Sequence, residues 1–122
     1  MKFFSILTLF IVLALSSCTF RAPKPKPLLS ERQMVELLTE MHLIEASLQQ
    51  TQIRDDNFGQ TRLYTTALYN TLFEKFGLNQ ESFEANLFYR THRSRDIERI
   101  YTKVADNLQL MVEQNQENES IF

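Results

Sequence analysis

Two groups of residues in this 122-residue chain carry side chains able to bind or polarise another molecule. The first is Glu40, His42 and Glu45, in the stretch TEMHLIEA. On a helix, residues three apart share a face, so His42 and Glu45 stand together. Glu40 is two positions from His42, about 200° around the axis, and points elsewhere. Two ligands on one helix fall short of the three or more convergent groups a metal ion needs, and His92 would have to come from a distant segment. No complete metal site is expected. The pair reads first as a His–Glu hydrogen bond on a helix face, and second as one wall of a pocket for a small ligand or metal. The second group is Arg90, His92, Arg93, Arg95 and Arg99, with Tyr89 and Tyr101 beside it. Arginines hold anions through paired N–H groups, which fits a phosphate or sugar-phosphate contact. A solvated basic corner, partly neutralised by Asp96 and Glu98, is the commoner outcome for such a cluster.

Other chemistry is missing from the pattern. There is no G-x-S-x-G, S-x-x-K or H-E-x-x-H and no Gly-rich phosphate loop, so no enzymatic activity and no cofactor are expected. Thirteen Lys and Arg against fifteen Asp and Glu leave a net charge of −2, which argues against a nucleic-acid partner. The single cysteine excludes an internal disulfide and a Cys-rich metal site. Four aromatic residues, Tyr64, Phe73, Phe88 and Tyr89, do not fall on one helical stripe. They are candidates to line a groove for a partner helix or peptide.

That cysteine, Cys18, follows a leader. Lys2 precedes an apolar run from Phe3 to Leu15, about 13 residues and too short for a bilayer, which needs ~20. It fits the h-region of a secretory signal peptide spanning 1–17. Leu15-Ser16-Ser17-Cys18 resembles the bacterial lipobox. The resemblance implies cleavage before Cys18 and a covalent lipid, palmitate among its chains, on that residue. Two or three acyl chains hold a protein at a membrane where a single one does so only marginally. Without Lys2 the chain has twelve cations against fifteen acids, a net charge of −3. Residues 18–29 then read as the lipidated cysteine and a tether. Pro23, Pro25 and Pro27 favour an extended spacer of roughly 25–30 Å over nine residues, with Arg21, Lys24 and Lys26 as its solvated, headgroup-facing cations. No acidic stretch follows the cysteine, and Thr19 stands where an inner-membrane retention signal would place aspartate. The first points to a periplasm-facing location and the second to the outer membrane.

Beyond the tether the apolar period becomes helical. Ser30 and Gln33 form a capping-box pattern ahead of Met34, Leu37, Leu38, Met41, Ile44 and Leu48, which predicts a helix over 31–51. Val35 and Leu43 widen its apolar side. Gln52–Gln60 reads as a loop. Leu63, Tyr64, Ala67, Leu68, Thr71, Leu72 and Phe76 predict a helix over 60–76, closed by Gly77 as a C′ glycine with Leu78 behind it. Asn79 can cap a short helix over 80–91 with Phe83 and Leu87 on its apolar edge. Ser94 is the expected cap of a last helix, 95–113, with the stripe Ile97, Ile100, Tyr101, Val104, Leu108 and Met111. Residues 115–122 are expected to be a flexible tail. Two glycines and three prolines leave few tight turns, against a sandwich or barrel. The expected fold is all-α, a small bundle of three to four helices over 30–114, behind the signal peptide and Pro-rich tether.

Between Leu28 and Leu108 the chain resembles a family of small Bacteroidota lipoproteins, domain-of-unknown-function family 4296. The likeness lies in Leu28–Glu31 and Met34–Ala46, in Tyr69, Leu72, Phe73, Phe76-Gly77-Leu78 and Phe83, and in Tyr89 and Ile100–Val104. It implies a helical, envelope-anchored lipoprotein and brings no activity with it. The combined expectation is a non-catalytic interaction or adaptor module, held to the membrane by its lipid and meeting an envelope protein. The alternative is a periplasmic lipoprotein that binds a small ligand or metal near His42 and Glu45. The contact residues of these two readings are His42, Glu45, Tyr64, Phe73, Phe88, Tyr89 and Arg93.

Overall fold

The structure is a computed structural model that describes residues 1, 2, 5, 6, 8, 21–52 and 58–121. Cys18 and most of the leader lie outside the described residues, as do 53–57 of the expected loop. Four helices follow residue 30: α1 (Glu31–Gln52), α2 (Phe58–Lys75), α3 (Gln80–Thr91) and α4 (Ser94–Ser120). No strand occurs among the described residues, and no helix there is long and apolar enough to cross a membrane.

Local chemistry sets most of the boundaries. Gln33 N–H donates to Ser30 Oγ (3.2 Å) and Ser30 N–H to Gln33 Oε1 (3.0 Å), the reciprocal box that starts α1. Asn79 and Ser82 make a second such box at the start of α3. Gly77 sits at φ +69°, with Leu78 N–H donating to Phe73 O and Gly77 N–H to Glu74 O, both at 2.9 Å. This is the Schellman closure of α2, and it needs a residue with no Cβ penalty at positive φ. The start of α4 departs from expectation. Arg93, not Ser94, is its cap residue, and no side chain caps it.

The helices close a ring in which α1 touches α2 and α4, and α3 touches α2 and α4. Helices α1 and α2 are antiparallel, with Glu45 near Tyr69 and Glu40 paired to Lys75. Met34, Val35, Leu37 and Leu38 from α1, Phe73 from α2, Leu78, Phe83 from α3, and Ile100 and Val104 from α4 fill the centre together with Leu29. The rings of Phe73 and Phe83 stack with centroids 4.8 Å apart.

Helix length decides which expected core residues are buried. Twelve residues give α3 about 18 Å, while the eighteen of α2 span about 27 Å. Because α3 folds back from Gly77, it covers the C-terminal part of α2. Leu72 and Phe73 are buried there, but Leu63 and Tyr64 at the other end are 77% and 61% exposed. Leu43, on the distal half of α1, is exposed as well. Helix α4 outruns the bundle in the same way. Its burial stops at Val104 and the half-covered Leu108, and the helix continues to Ser120, past the expected end near 113.

Leu37 is completely enclosed and should respond accordingly to truncation. Leu37→Ala is expected to cost about 2–5 kcal/mol in urea unfolding. Leu63→Ala, although it removes the same side chain, should stay within about 0.5 kcal/mol of wild type. Equal losses at the two positions would mean that α2 is covered along its whole length.

Candidate functional site

The most tightly built polar cluster lies where the tether meets α3. Asn86 is fully buried on the inner face of that helix. Its Oδ1 accepts the Leu29 N–H at 2.8 Å, and its Nδ2 donates to Pro27 O and Ser82 O, each at 2.8 Å. One turn on, Arg90 Nη2 donates to Leu29 O at 2.7 Å and Nη1 to Asp96 Oδ2 at 3.2 Å. These bonds satisfy both backbone groups of Leu29, whose side chain is in the core. Residues 27–29, expected as the end of a free tether, are therefore part of the folded domain. Neither group was singled out from the sequence for this role. The available signal was a polar residue in an apolar stripe, since Phe83, Asn86, Leu87 and Arg90 share one face of α3.

Around Arg90 the basic corner is organised rather than loose. The Asp96 carboxylate meets Arg90 on one oxygen and Arg99 (3.0 Å) on the other, with Arg93 at 3.8 Å. Arg99 also reaches Glu31 of α1 at 3.0 Å, where Lys103 joins it at 2.7 Å. Hydrogen bonds from Lys103 first and Arg99 second hold the Glu31 carboxyl below its ordinary pKa. The same contact with Glu31 raises Arg99. Beside this network, and sharing Arg93 with it, a cleft of about 420 Å³ opens between residues 21–24 and the α3–α4 corner. It is lined by Arg21, Ala22, Lys24, Tyr89, His92 and Arg93. The Arg93 guanidinium lies over the Tyr89 ring, 4.9 Å from its centroid.

His42 and Glu45 do stand together, with Nδ1 to Oε2 at 3.1 Å. The other Glu45 oxygen accepts the Tyr69 hydroxyl at 3.3 Å, tying α1 to α2. Burial, then the neighbouring Glu45 charge, pushes the Tyr69 hydroxyl above its usual pKa. Beside them is a cleft of about 270 Å³ whose walls include Met41, Glu45, Tyr69, Phe73 and Phe83. Among the described residues no three His, Cys, Asp or Glu are grouped to hold a metal ion.

The four aromatic candidates do not share one groove. Phe73 is 5% exposed and belongs to the core stack, because α3 folds onto the face of α2 that carries it. Tyr64 is on the uncovered start of α2. Phe88 lies against His92, with ring centroids 4.1 Å apart, and Tyr89 faces the basic cleft.

The Glu31 network gives a signed pH dependence. A carboxyl whose folded pKa is depressed stabilises the fold above its unfolded value, near 4.3, and loses that contribution as pH falls through the folded value. Glu31→Gln is therefore expected to lower the melting temperature at pH 7. The gap from wild type should close as the pH drops below about 4. A gap that persists unchanged at pH 3 would contradict an ionic role for Glu31.

No curated protein and no solved structure matches the chain. A family model does, over residues 25–114. That span begins in the docked tether and reaches into all four helices. The chain belongs to the family described as Domain of unknown function (DUF4296).

Proposed function

We propose that the chain is a membrane-anchored lipoprotein whose helical domain is a non-catalytic docking module, an accessory subunit of an envelope complex. The anchor rests on the leader and on the Leu15-Ser16-Ser17-Cys18 sequence. The docking role rests on one structural observation, the overhang of α4. Met111 and Val112, 38% and 54% exposed, follow Val104 and Leu108 on one face of a helix that has already passed the core, while Leu110, 55% exposed, lies on the other side. Asp106, Glu113, Glu117 and Glu119 lie along the same overhang, and no Lys or Arg follows Lys103. The complementary partner is a protein with an apolar groove edged by Lys or Arg.

The rival reading, a small ligand or metal at His42 and Glu45, has the 270 Å³ cleft in its favour. Against it, both Glu45 oxygens already hold groups of this chain, so a ligand would have to displace His42 or Tyr69.

Photo-crosslinking from position 112 in intact cells tests the proposal. It predicts one dominant protein partner, lost in a Met111→Asp, Val112→Asp double variant whose melting temperature is unchanged. Cys18→Ser should move the protein out of the membrane fraction. Capture that is insensitive to the double substitution would remove α4 as the docking element.

A further inference from the structure

The basic cleft at the α3–α4 corner adjoins the Asp96 network but opens away from it. Among the six residues that line it, Arg21, Lys24 and Arg93 are permanent cations and none is a carboxylate. The nearest acid of α4, Asp96, is shared between Arg90 (3.2 Å), Arg99 (3.0 Å) and, more loosely at 3.8 Å, Arg93 itself, so it only partly offsets the cleft's charge. The chain as a whole is acidic, so this concentration of positive charge does not follow from composition. It is made by the fold, which lays the tether cations Arg21 and Lys24 against Tyr89, His92 and Arg93 across a space of about 420 Å³. Like charges gathered around an open space repel one another, and an anion held between them relieves that repulsion. Tyr89 contributes a ring that backs the Arg93 guanidinium, whose Nη1 makes the loose Asp96 contact and whose other N–H groups can meet a ligand. The side chain of Arg93 is 57% exposed, so those donors are within reach of solvent.

Position narrows the choice of anion. Arg21 stands three residues after Cys18, a reach of about 10 Å even when fully extended. A lipid on Cys18 would hold the mouth of the cleft at the headgroup layer. We propose that the cleft is a phosphate-binding site and that it takes the headgroup phosphate of an anionic phospholipid in the membrane that bears the anchor. The headgroup assignment rests on the anchored reading above, whereas phosphate recognition does not. Lys24 and Arg93 would grip the phosphate oxygens from opposite walls, with Arg21 closing the side nearest the bilayer. The domain would then be fixed in orientation as well as tethered, with Asn86 and Arg90 passing that orientation to the bundle.

The test uses the full chain in micelles of an uncharged maltoside, followed by NMR. Dihexanoyl phosphatidylglycerol is titrated in one arm and inorganic phosphate in the other. The lipid is expected to shift the Tyr89, His92 and Arg93 amides saturably, at lower concentration than phosphate. Arg93→Ala and Lys24→Glu should each weaken the response about tenfold, the loss typical of one charge-assisted contact. Lys24 precedes α1, so Lys24→Glu probes the cleft without touching the start of α4. Cys18→Ser in the same micelles should bind equally well, so a failure of the anchor and a failure of the cleft give different results. Saturation by inorganic phosphate with no preference for the lipid would overturn the headgroup assignment. No shift in either arm, or shifts unaffected by both substitutions, would overturn the site itself.

Discussion

One buried amide, Asn86, determines how the chain before the bundle meets the bundle. A polar side chain with no exposure is tolerated only if its donors and acceptor are paired, and here all are. Its partners include backbone groups nearly sixty residues away, so the contact is long-range and cannot form until α3 is in place. Arg90 repeats the arrangement one turn later through Leu29 O. Together they let Leu29 enter the core, where it joins a cluster to which all four helices contribute. The diagonal pair of the helical ring, α1 and α3, is joined in this way through the segment that precedes α1.

The other features of the molecule follow from that fixed end. With residues 27–29 pinned to α3, the tether runs over the α3–α4 corner and brings Arg21 and Lys24 to Arg93. The same corner carries Asp96, whose three arginine neighbours draw α3 and α4 together, and Arg99 extends the network to Glu31 at the start of α1. The opposite ends of the long helices receive no such support. Helix α2 begins beyond the reach of α3, and α4 continues past the core. Apolar side chains there remain in water, available to another molecule. The architecture is a pinned N-terminal end rich in cations and a free helix end rich in acids.

Much of this was legible in the residues. Ser30 with Gln33, Asn79, and Gly77 with Leu78 are local signals, because each describes bonds among residues within one turn. They placed α3 at its observed limits and α1 within a residue. Burial was less legible, because periodicity gives a face and not the length over which a neighbour covers it. Leu63 and Tyr64 satisfy the stripe yet meet no third helix, and Phe73 lies off that stripe yet is central because of where α3 turns back. The role of Asn86 is hidden for a related reason. Its value lies in partners at Pro27 and Leu29, and no pattern local to α3 names them. The His42–Glu45 pair was legible from spacing alone, but its third member, Tyr69, comes from another helix.

The claim that the tether is clamped into the fold is tested most directly by native-state hydrogen exchange at the Leu29 amide. That N–H donates to Asn86 and precedes every helix of the bundle, so helical structure cannot account for its protection. The account predicts that Leu29 exchanges with the same opening free energy as core amides such as Ile100 and Val104, and that Asn86→Ala abolishes this selectively. Exchange of Leu29 near the unprotected rate, while α1 and α4 remain protected, would contradict it. The domain would then begin at Ser30, with the preceding chain a loose tether.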